Sequence, residues 1–494
     1  MLGWTSPEPR FNHGPYRLSH AGRLTMTHSP DAPSRPPLAP WTSHAKATFA
    51  LGLPLVGAQL AQVSINVTNT VMIGQLGAAE LAAAVLATQT FYVFWMFGSG
   101  FAYAVMPLAA AAHGNRDTRA VRRSVRMGLW VGGLYSLLVM VPLWFTEAIL
   151  VALGQQPDIA AEAGAYVRVL QWSMLPYLST FVLRSYLSAL ERPNVVLAIT
   201  LLGAGLNALF NYVLIFGHFG APALGLTGSG IASVGTSAAT FLLLFAYTRR
   251  ARGLEIFDLW RRFYAPDWPA FFEVLRLGWP IGATILAEVG LFTAASIMMG
   301  WIGTLELAAH GIALQLASIS FMIPLGLASA ATVRVGTAFG RQDAPNLARA
   351  ARTSLLVAGI ISCTAAVLFW VAPGMLIGLY LDMRQPNASA VLAAAVPLLA
   401  VAAAFQIVDS IQVTASGILR GMKDTRLPML IAVASYWLVG MPVAYGLAFG
   451  LGWGGLGVWW GLAAGLLVAA ILMSLRFVRL EARWRQSPGA GLVG

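Results

Sequence analysis

Charge is what this sequence has least of. Asp, Glu, Lys and Arg together make up 10% of its 494 residues, while hydrophobic residues make up 58%. An average soluble domain carries roughly 25% charged residues. With so few charges a globule of this size cannot cover its surface with polar groups. A soluble enzyme, a nucleic-acid-binding protein and a disordered chain are therefore excluded, and an integral membrane protein remains. Cysteine is nearly absent as well. The one residue, Cys363, cannot form an intramolecular disulfide, and its apolar run reads as a small buried hydrophobe. Lysine occurs only at Lys46 and Lys423. No GxxxxGK[ST], HExxH or CxxC is found, so neither ATP hydrolysis nor a metal-based enzyme active site is expected. The chain reads as a non-enzyme without an organic cofactor.

What is abundant is apolar sequence in long runs. A membrane helix needs about 20 mostly apolar residues. Twelve candidates follow residue 47, near 48–72, 86–112, 127–146, 162–182, 194–217, 228–248, 276–300, 308–333, 354–372, 390–416, 428–450 and 455–477. Continuous apolar runs without alternation favour helices over a barrel. Residues 1–46 are rich in Pro, Ser and His and read as a disordered tail; His13, His20, His28 and His44 are spaced too irregularly for a metal site.

The basic residues sort by loop. Of 31 Lys and Arg, 29 fall in the two tails and the even-numbered loops, including Arg184, Arg192, Arg334 and Arg420; Arg168 and Arg384 are the exceptions. This alternation predicts twelve spans with both termini cytoplasmic, and it accounts for a net charge of +12 without nucleic acid. The expected organisation is a cytoplasmic tail 1–46, a six-helix lobe 47–248, a cytoplasmic linker 249–275, a second six-helix lobe 276–478 and a cytoplasmic tail 479–494. The setting is a cell inner membrane, the partner a lipid bilayer, and the chain is expected to work as a monomer.

The two lobes are copies. Offset by 226 residues, 51–83 aligns with 277–309 without a gap and with 13 identities in 33 positions, where roughly three are expected by chance. An even number of spans separates the copies. Both therefore enter the membrane in the same direction, related by a pseudo-twofold axis along the membrane normal, with a substrate path between rocking lobes.

An ionisable group at mid-membrane is costly and hence a functional candidate. Two acids qualify. Glu288 lies 12 residues beyond Arg276, and Asp409 lies 11 before Arg420. At 1.5 Å per residue both sit roughly 17 Å from the basic boundary of a ~30 Å core. Two carboxyls at matching depth suit a cation or a proton, because neighbouring carboxylates repel one another. Their counterparts in the first copy are neutral, Gln62 for Glu288 and Ser173 for Asp409. Gln412 and Phe405, on the span of Asp409, complete the candidate substrate or polar-cavity contacts together with Gln62, Asn69 and Ser173. Phe91, Tyr92, Phe94 and Trp95 read as bilayer anchors or packing rather than cavity lining. His113 and His310 read as interfacial hydrogen-bonding groups, and Pro54, Pro107, Pro280 and Pro324 as bends or packing.

Four stretches carry a family resemblance: LGLPLVGAQLAQVSINVTNTVMIGQLGAAELAA, NYVLIFGHFGAPALGLTGSGIAS, AAHGIALQLASISFMIPLGLASAATVRVG and FQIVDSIQVTASGILRGMKDT. The chain resembles the multidrug and toxic compound extrusion (MATE) transporters over about 47–480. The resemblance implies twelve helices in two six-helix lobes, and secondary active efflux of small organic cations in exchange for Na⁺ or H⁺. It also marks Glu288 and Asp409 as the acids of the C-terminal lobe. Asn69 stands where many members carry an aspartate, which argues against an aspartate-centred proton mechanism in the N-terminal lobe. The alternative is a lipid-linked saccharide flippase of similar architecture, which would place basic residues in the cleft to hold a pyrophosphate.

Overall fold

The structure, a computed structural model, describes residues 40–381, 384 and 387–486. The described residues form an all-helical fold without strands. Eleven helices are long and apolar enough to cross a membrane: Trp41–Gly74, Ala78–Gly114, Thr118–Trp144, Pro193–Phe216, Gly225–Arg250, Trp268–Ile302, Thr304–Gly340, Ala344–Val371, Ala388–Gly421, Arg426–Gly450 and Gly454–Trp484. The twelfth is broken. Pro157–Leu170 and Met174–Ala189 are joined by a single tight turn, Gln171–Ser173. In chain order these are spans 1 to 12, with the broken helix as span 4. Span 11 contains two wider turns at Ser435–Gly440 and Gly446–Gly450.

Several boundaries differ from the expectation. Span 1 begins at Trp41, so residues 41–46 are helix rather than tail, and His44 is buried. Residues 1–39 and 487–494 lie outside the described residues; the last helix continues through Gln486, past the expected start of the C-terminal tail. The linker shrinks from both sides, because span 6 continues to Arg250 and span 7 starts at Trp268. Window hydropathy finds the apolar middle of a helix and misses polar ends that extend beyond the hydrocarbon. Cys363 is exposed rather than buried; it lies on the outer face of span 9, where a small sulfur side chain meets lipid at no polar cost.

The duplication is visible in the turns. Asp117 and Asp343 stand at equivalent positions and cap spans 3 and 9, accepting from the backbone N–H of Ala120 and Asn346. The residue before each cap adopts the same left-handed backbone, Arg116 at φ 58° and Gln342 at φ 55°. Such a conformation costs a side-chain-bearing residue roughly 1–2 kcal/mol, so its retention in both copies marks a turn whose shape matters.

The lobes meet along small residues, and the meeting obeys the same twofold relation. A Cβ at Gly100 would strike the backbone of Gly282, and one at Gly326 would strike Val56. Gly278 abuts Phe101 as Gly52 abuts Leu327, and Gly114 abuts Thr337 as Gly340 abuts Ala111. Each partner differs from its counterpart by the same 226 residues. Glycine lets helix backbones approach this closely, which is how helices associate where lipid removes the hydrophobic drive. Four of these contacts join the starts of spans 1 and 7 to spans 8 and 2, and the other two join the ends of spans 2 and 8 to each other, all towards the end of the molecule that carries the basic loops. Polar groups add to this closure. His44 hydrogen-bonds Asn346 at 3.2 Å across the lobes, and Arg334 reaches both His44 and Thr48.

The linker is tied down at the same end. Arg126 donates to the carbonyl of Ala265 at 2.7 Å and the Trp130 indole to that of Phe263 at 3.1 Å. Arg123 pairs with Asp267, which caps span 7. Partial burial works against the charge on Asp267. The Arg123 hydrogen bond and the Ala270 N–H outweigh it and hold this carboxyl below the usual carboxylate range.

Towards the other end the lobes part, and Asn66, Thr70 and Thr293 on spans 1 and 7 are exposed. A Val in place of Gly340 would overpack the seam at a cost of about 1–3 kcal/mol. With Cys363→Ser as background and Ala111→Cys as reporter, Gly340→Val is expected to raise maleimide labelling of the purified protein severalfold. Unchanged labelling would mean that the seam yields without opening.

Candidate functional site

Between the lobes lies a cavity of about 290 Å³, lined from the N-terminal lobe by Gln59, Gln62, Asn66, Trp95, Tyr103 and Phe181. The C-terminal lobe contributes Thr284, Glu288, Gln412, Ser416 and Arg420. A second cavity of about 90 Å³ enters the N-terminal lobe and shares Gln62 and Asn66 with the first. Its walls include Asn69, Ser173, Tyr177, Thr180, Arg184 and Asn207.

Helix periodicity explains the lining. Gln59, Gln62 and Asn66 recur three and four residues apart, so one face of span 1 is polar through the membrane. On span 4, Ser173, Tyr177, Thr180 and Arg184 repeat the same spacing. A polar stripe in hydrocarbon must face protein or water, and here it faces both.

The C-terminal lobe holds the acids. Glu288 is on the cavity wall, while Asp409 lies behind it, only 2% exposed. The two carboxyls are close enough to act on each other electrostatically, and the Tyr436 hydroxyl of span 11 feels both. Among the described residues one oxygen of Asp409 has no hydrogen-bond partner, and neither do the Tyr436 hydroxyl, the Gln412 carbonyl, the Ser435 hydroxyl or the Gln406 amide. Buried polar atoms of this kind call for an account, and Asp409, Glu288 and Tyr436 are near enough to act on one another. No group of three or more His, Cys, Asp or Glu that could hold a metal occurs among the described residues. A hard monovalent cation needs only oxygens, and two carboxylates, a phenol and amide carbonyls supply them.

The N-terminal lobe is wired differently. The Gln62 amide donates to the Tyr177 hydroxyl at 2.6 Å, and its carbonyl accepts from Arg184 at 3.3 Å. Asn211 donates to Asn69 at 2.7 Å and to Asn207 at 3.2 Å. Tyr92 donates to Asn66 at 2.7 Å. Apart from Arg184 these groups are neutral and hydrogen-bonded to one another, although the buried Asn211 carbonyl oxygen has no partner among the described residues.

Four expectations need correcting. Phe405 does not line a cavity; it is buried in the C-terminal core against Phe292 and Trp459. Four residues from Asp409, it lies one turn along the same helix face and shares its burial away from the cleft. Tyr92 and Trp95 do line cavities, and Trp95 packs on Tyr177 and Phe181. His310 is buried rather than interfacial and shares a hydrogen bond with Ser296 at 3.0 Å. Arg184 and Arg420, assigned to loops by counting, lie inside helices and face the cavities. Span 4 and span 10 run past the hydrocarbon boundary that hydropathy alone draws, so a residue near a predicted helix end can still point inward. Basic groups therefore do enter the cleft. Tyr103, Tyr177, Asn207 and Tyr436 were not singled out by sequence; the polar stripe of span 4 was the available signal for Tyr177.

The family model MatE matches residues 54–213 and 280–446, one match in each lobe. The chain is 52% identical over 450 residues to a "Probable multidrug resistance protein NorM" of Rhizobium meliloti (strain 1021), covering 91% of this chain and 96% of that one. It is 50% identical over 443 residues to the protein of the same name from Agrobacterium fabrum (strain C58), with 90% and 95% covered. Among solved structures, "Outward-facing conformation of a multidrug resistance MATE family transporter of the MOP superfamily" superposes with a TM-score of 0.80 at 19% identity, over 90% of this chain and 97% of that one. The "eukaryotic MATE transporter AtDTX14" gives a TM-score of 0.80 at 20% identity, with 90% and 98% covered. At such identity these structures speak to the fold alone, while the relatives and the family model decide membership. The chain belongs to the MatE family, the multidrug and toxic compound extrusion transporters.

Proposed function

We propose that this transporter exports small organic molecules, cationic groups included, across a cell inner membrane in exchange for Na⁺ or H⁺, working as a monomer with both termini cytoplasmic. The observation that carries the reading is the pair of acids at the wall of a cleft sealed at one end, Glu288 on the lining and the buried Asp409 beside it. The names of the relatives support multidrug export. The basic loops support a cytoplasmic sealed end, and on that reading the conformation described is open to the outside.

The coupling follows from charge. Two carboxylates ~4–6 Å apart at an effective dielectric of ~20 oppose each other by about 3–4 kcal/mol. One cation or proton at Glu288 and Asp409 removes that cost. Arg420 takes part because Glu288 is its electrostatic neighbour and both line the cleft. When the ion claims Glu288, the positive charge of Arg420 is left facing the cavity and opposes a bound organic cation. Ion entry then drives substrate release, and by linkage substrate entry drives ion release. The ion must also favour one conformation, since binding both equally shifts nothing.

Arg184 and Arg420 do not restore the flippase alternative. They lie on opposite lobes as single side chains, and one already faces an acid.

Asp409→Asn and Glu288→Gln are each expected to cut ion-driven export by roughly tenfold or more while the protein still folds and inserts, since removing a mid-membrane charge lifts a desolvation cost. Near-normal export by both variants would overturn the assignment. Coupling is expected to reside in the C-terminal lobe, because Gln62, Asn69 and Ser173 cannot titrate. Gln62→Ala and Asn69→Ala should shift apparent substrate affinity and leave the response to Na⁺ and pH gradients in vesicles intact; an Asn69→Ala protein that binds substrate but ignores the gradient would place coupling in the other lobe. Orientation has its own check. In intact cells single cysteines at 217–220 should react with impermeant reagents, whereas cysteines near Arg119 and Arg261 should not.

A further inference from the structure

The two lobes place the same pair of positions on the cavity wall and fill them differently. In the C-terminal lobe the pair is Glu288 and Arg420, an acid and a base in electrostatic contact. In the N-terminal lobe the equivalent pair is Gln62 and Arg184, joined by one hydrogen bond of 3.3 Å from the guanidinium to the amide carbonyl. The base has been kept in both copies. The acid has been kept in one.

Arg184 therefore brings a charge with no carboxylate to balance it. None of the ion pairs among the described residues includes it. Its electrostatic neighbours are two phenols, Tyr103 and Tyr177. One face of the guanidinium lies 4.7 Å from the centre of the Phe181 ring, which fixes its plane and leaves N–H edges directed elsewhere. The side chain lines the N-lobe cavity and a small recess shared with Gln59 and Tyr103, both of which also line the cleft. A half-desolvated cation without a counter-charge is costly, and the molecule that visits this cavity is the available source of one.

We propose that Arg184 is a specificity-determining residue of this transporter, binding the carboxylate of substrates that carry an anionic and a cationic group together. The inference rests on the export reading above. A guanidinium held by its face on an aromatic ring can offer two parallel N–H groups, the geometry that suits a carboxylate. The cationic end of such a substrate finds Glu288 in the adjoining cleft, which shares Gln62 and Asn66 with the cavity that Arg184 lines, and the two ends together neutralise what each lobe leaves open. A molecule with only the cationic end meets Glu288 and is opposed by Arg184, so the residue sets a preference rather than a permission.

The test compares rhodamine B, which carries a carboxylate and a cationic xanthene, with its ethyl ester, which carries the cation alone. Transport is followed in proteoliposomes of the full chain, and binding is followed by tryptophan quenching of the same protein in detergent without any gradient. Arg184→Gln is expected to lower the acid-to-ester ratio of kcat/KM, and of binding affinity, at least about tenfold, chiefly through KM of the acid. Arg184→Lys, which keeps the charge and loses the fork, should retain part of the preference. A ratio unchanged by Arg184→Gln, whether both dyes are weakened together or neither is, would overturn the proposal and leave the residue a packing role. The binding ratio decides this point even if the native protein moves neither dye, an outcome that would count against the export reading instead.

Discussion

Backbone-to-backbone contact through glycine is the constraint on which this molecule's architecture rests. Inside a bilayer apolar side chains gain nothing by leaving lipid for protein, so two six-helix lobes need another reason to touch. The reciprocal contacts of Gly100, Gly114, Gly278, Gly326 and Gly340 provide it, because each brings two helices within reach of dispersion and weak Cα–H bonding. They are confined to one end of the molecule. The rest of the cleft is thereby free to be polar, and the cavity walls can hold Gln59, Gln62, Asn66 and Glu288 without a hydrophobic interface to maintain.

A twofold seam also makes its two sides alike. Symmetric contacts have the same geometry on both sides of the axis, so separating the lobes at this end would strain both sides equally. The polar contacts at the basic end differ between the two sides: His44, Thr48, Arg334 and Asn346 join spans 1, 8 and 9, where position 108, the counterpart of Arg334, is Leu108, and on the other side Arg123 pairs with Asp267 between spans 3 and 7.

Much of this was readable in the sequence because the physics is local there. Twelve apolar runs and the 226-residue repeat make span number and lobe symmetry legible without any knowledge of packing. Glu288 and Asp409 were legible for the same reason, since a carboxyl in the middle of an apolar run has no innocuous explanation. Depth, however, is not direction. Counting residues from Arg420 set Asp409 one stretch of helix away from a base that itself faces the cavity, and it could not say that Asp409 is buried off the cleft lining on which Glu288 sits. Nor could it say that Phe405, one turn away, points into the core. The arginines failed for a related reason. Hydropathy assigns a basic residue near a helix end to water by default, and only the packed structure reveals that Arg184 and Arg420 turn back into the cavity, where Phe181 and Glu288 receive them. Tyr436 was hidden because a tyrosine in an apolar run is unremarkable until its hydroxyl is found facing two acids.

What the duplication preserves and what it lets go separate scaffold from chemistry. The seam glycines, the Asp117 and Asp343 caps and the left-handed turns before them are kept in both copies, because each lobe needs the same shape to meet the other. At the cavity wall the requirement is the opposite. If both lobes carried an acid and a base, ion and substrate would find equivalent sites on either side, and binding one would not bias the other. Replacing the glutamate by Gln62 in one lobe leaves an acid beside the base in one copy and an amide beside it in the other. The neutral position lets Gln62 bridge Tyr177 and Arg184 by hydrogen bonds that no proton can break. A transporter that must couple two different ligands needs two different walls, and a single exchange of acid for amide at one repeated position is sufficient to make them different.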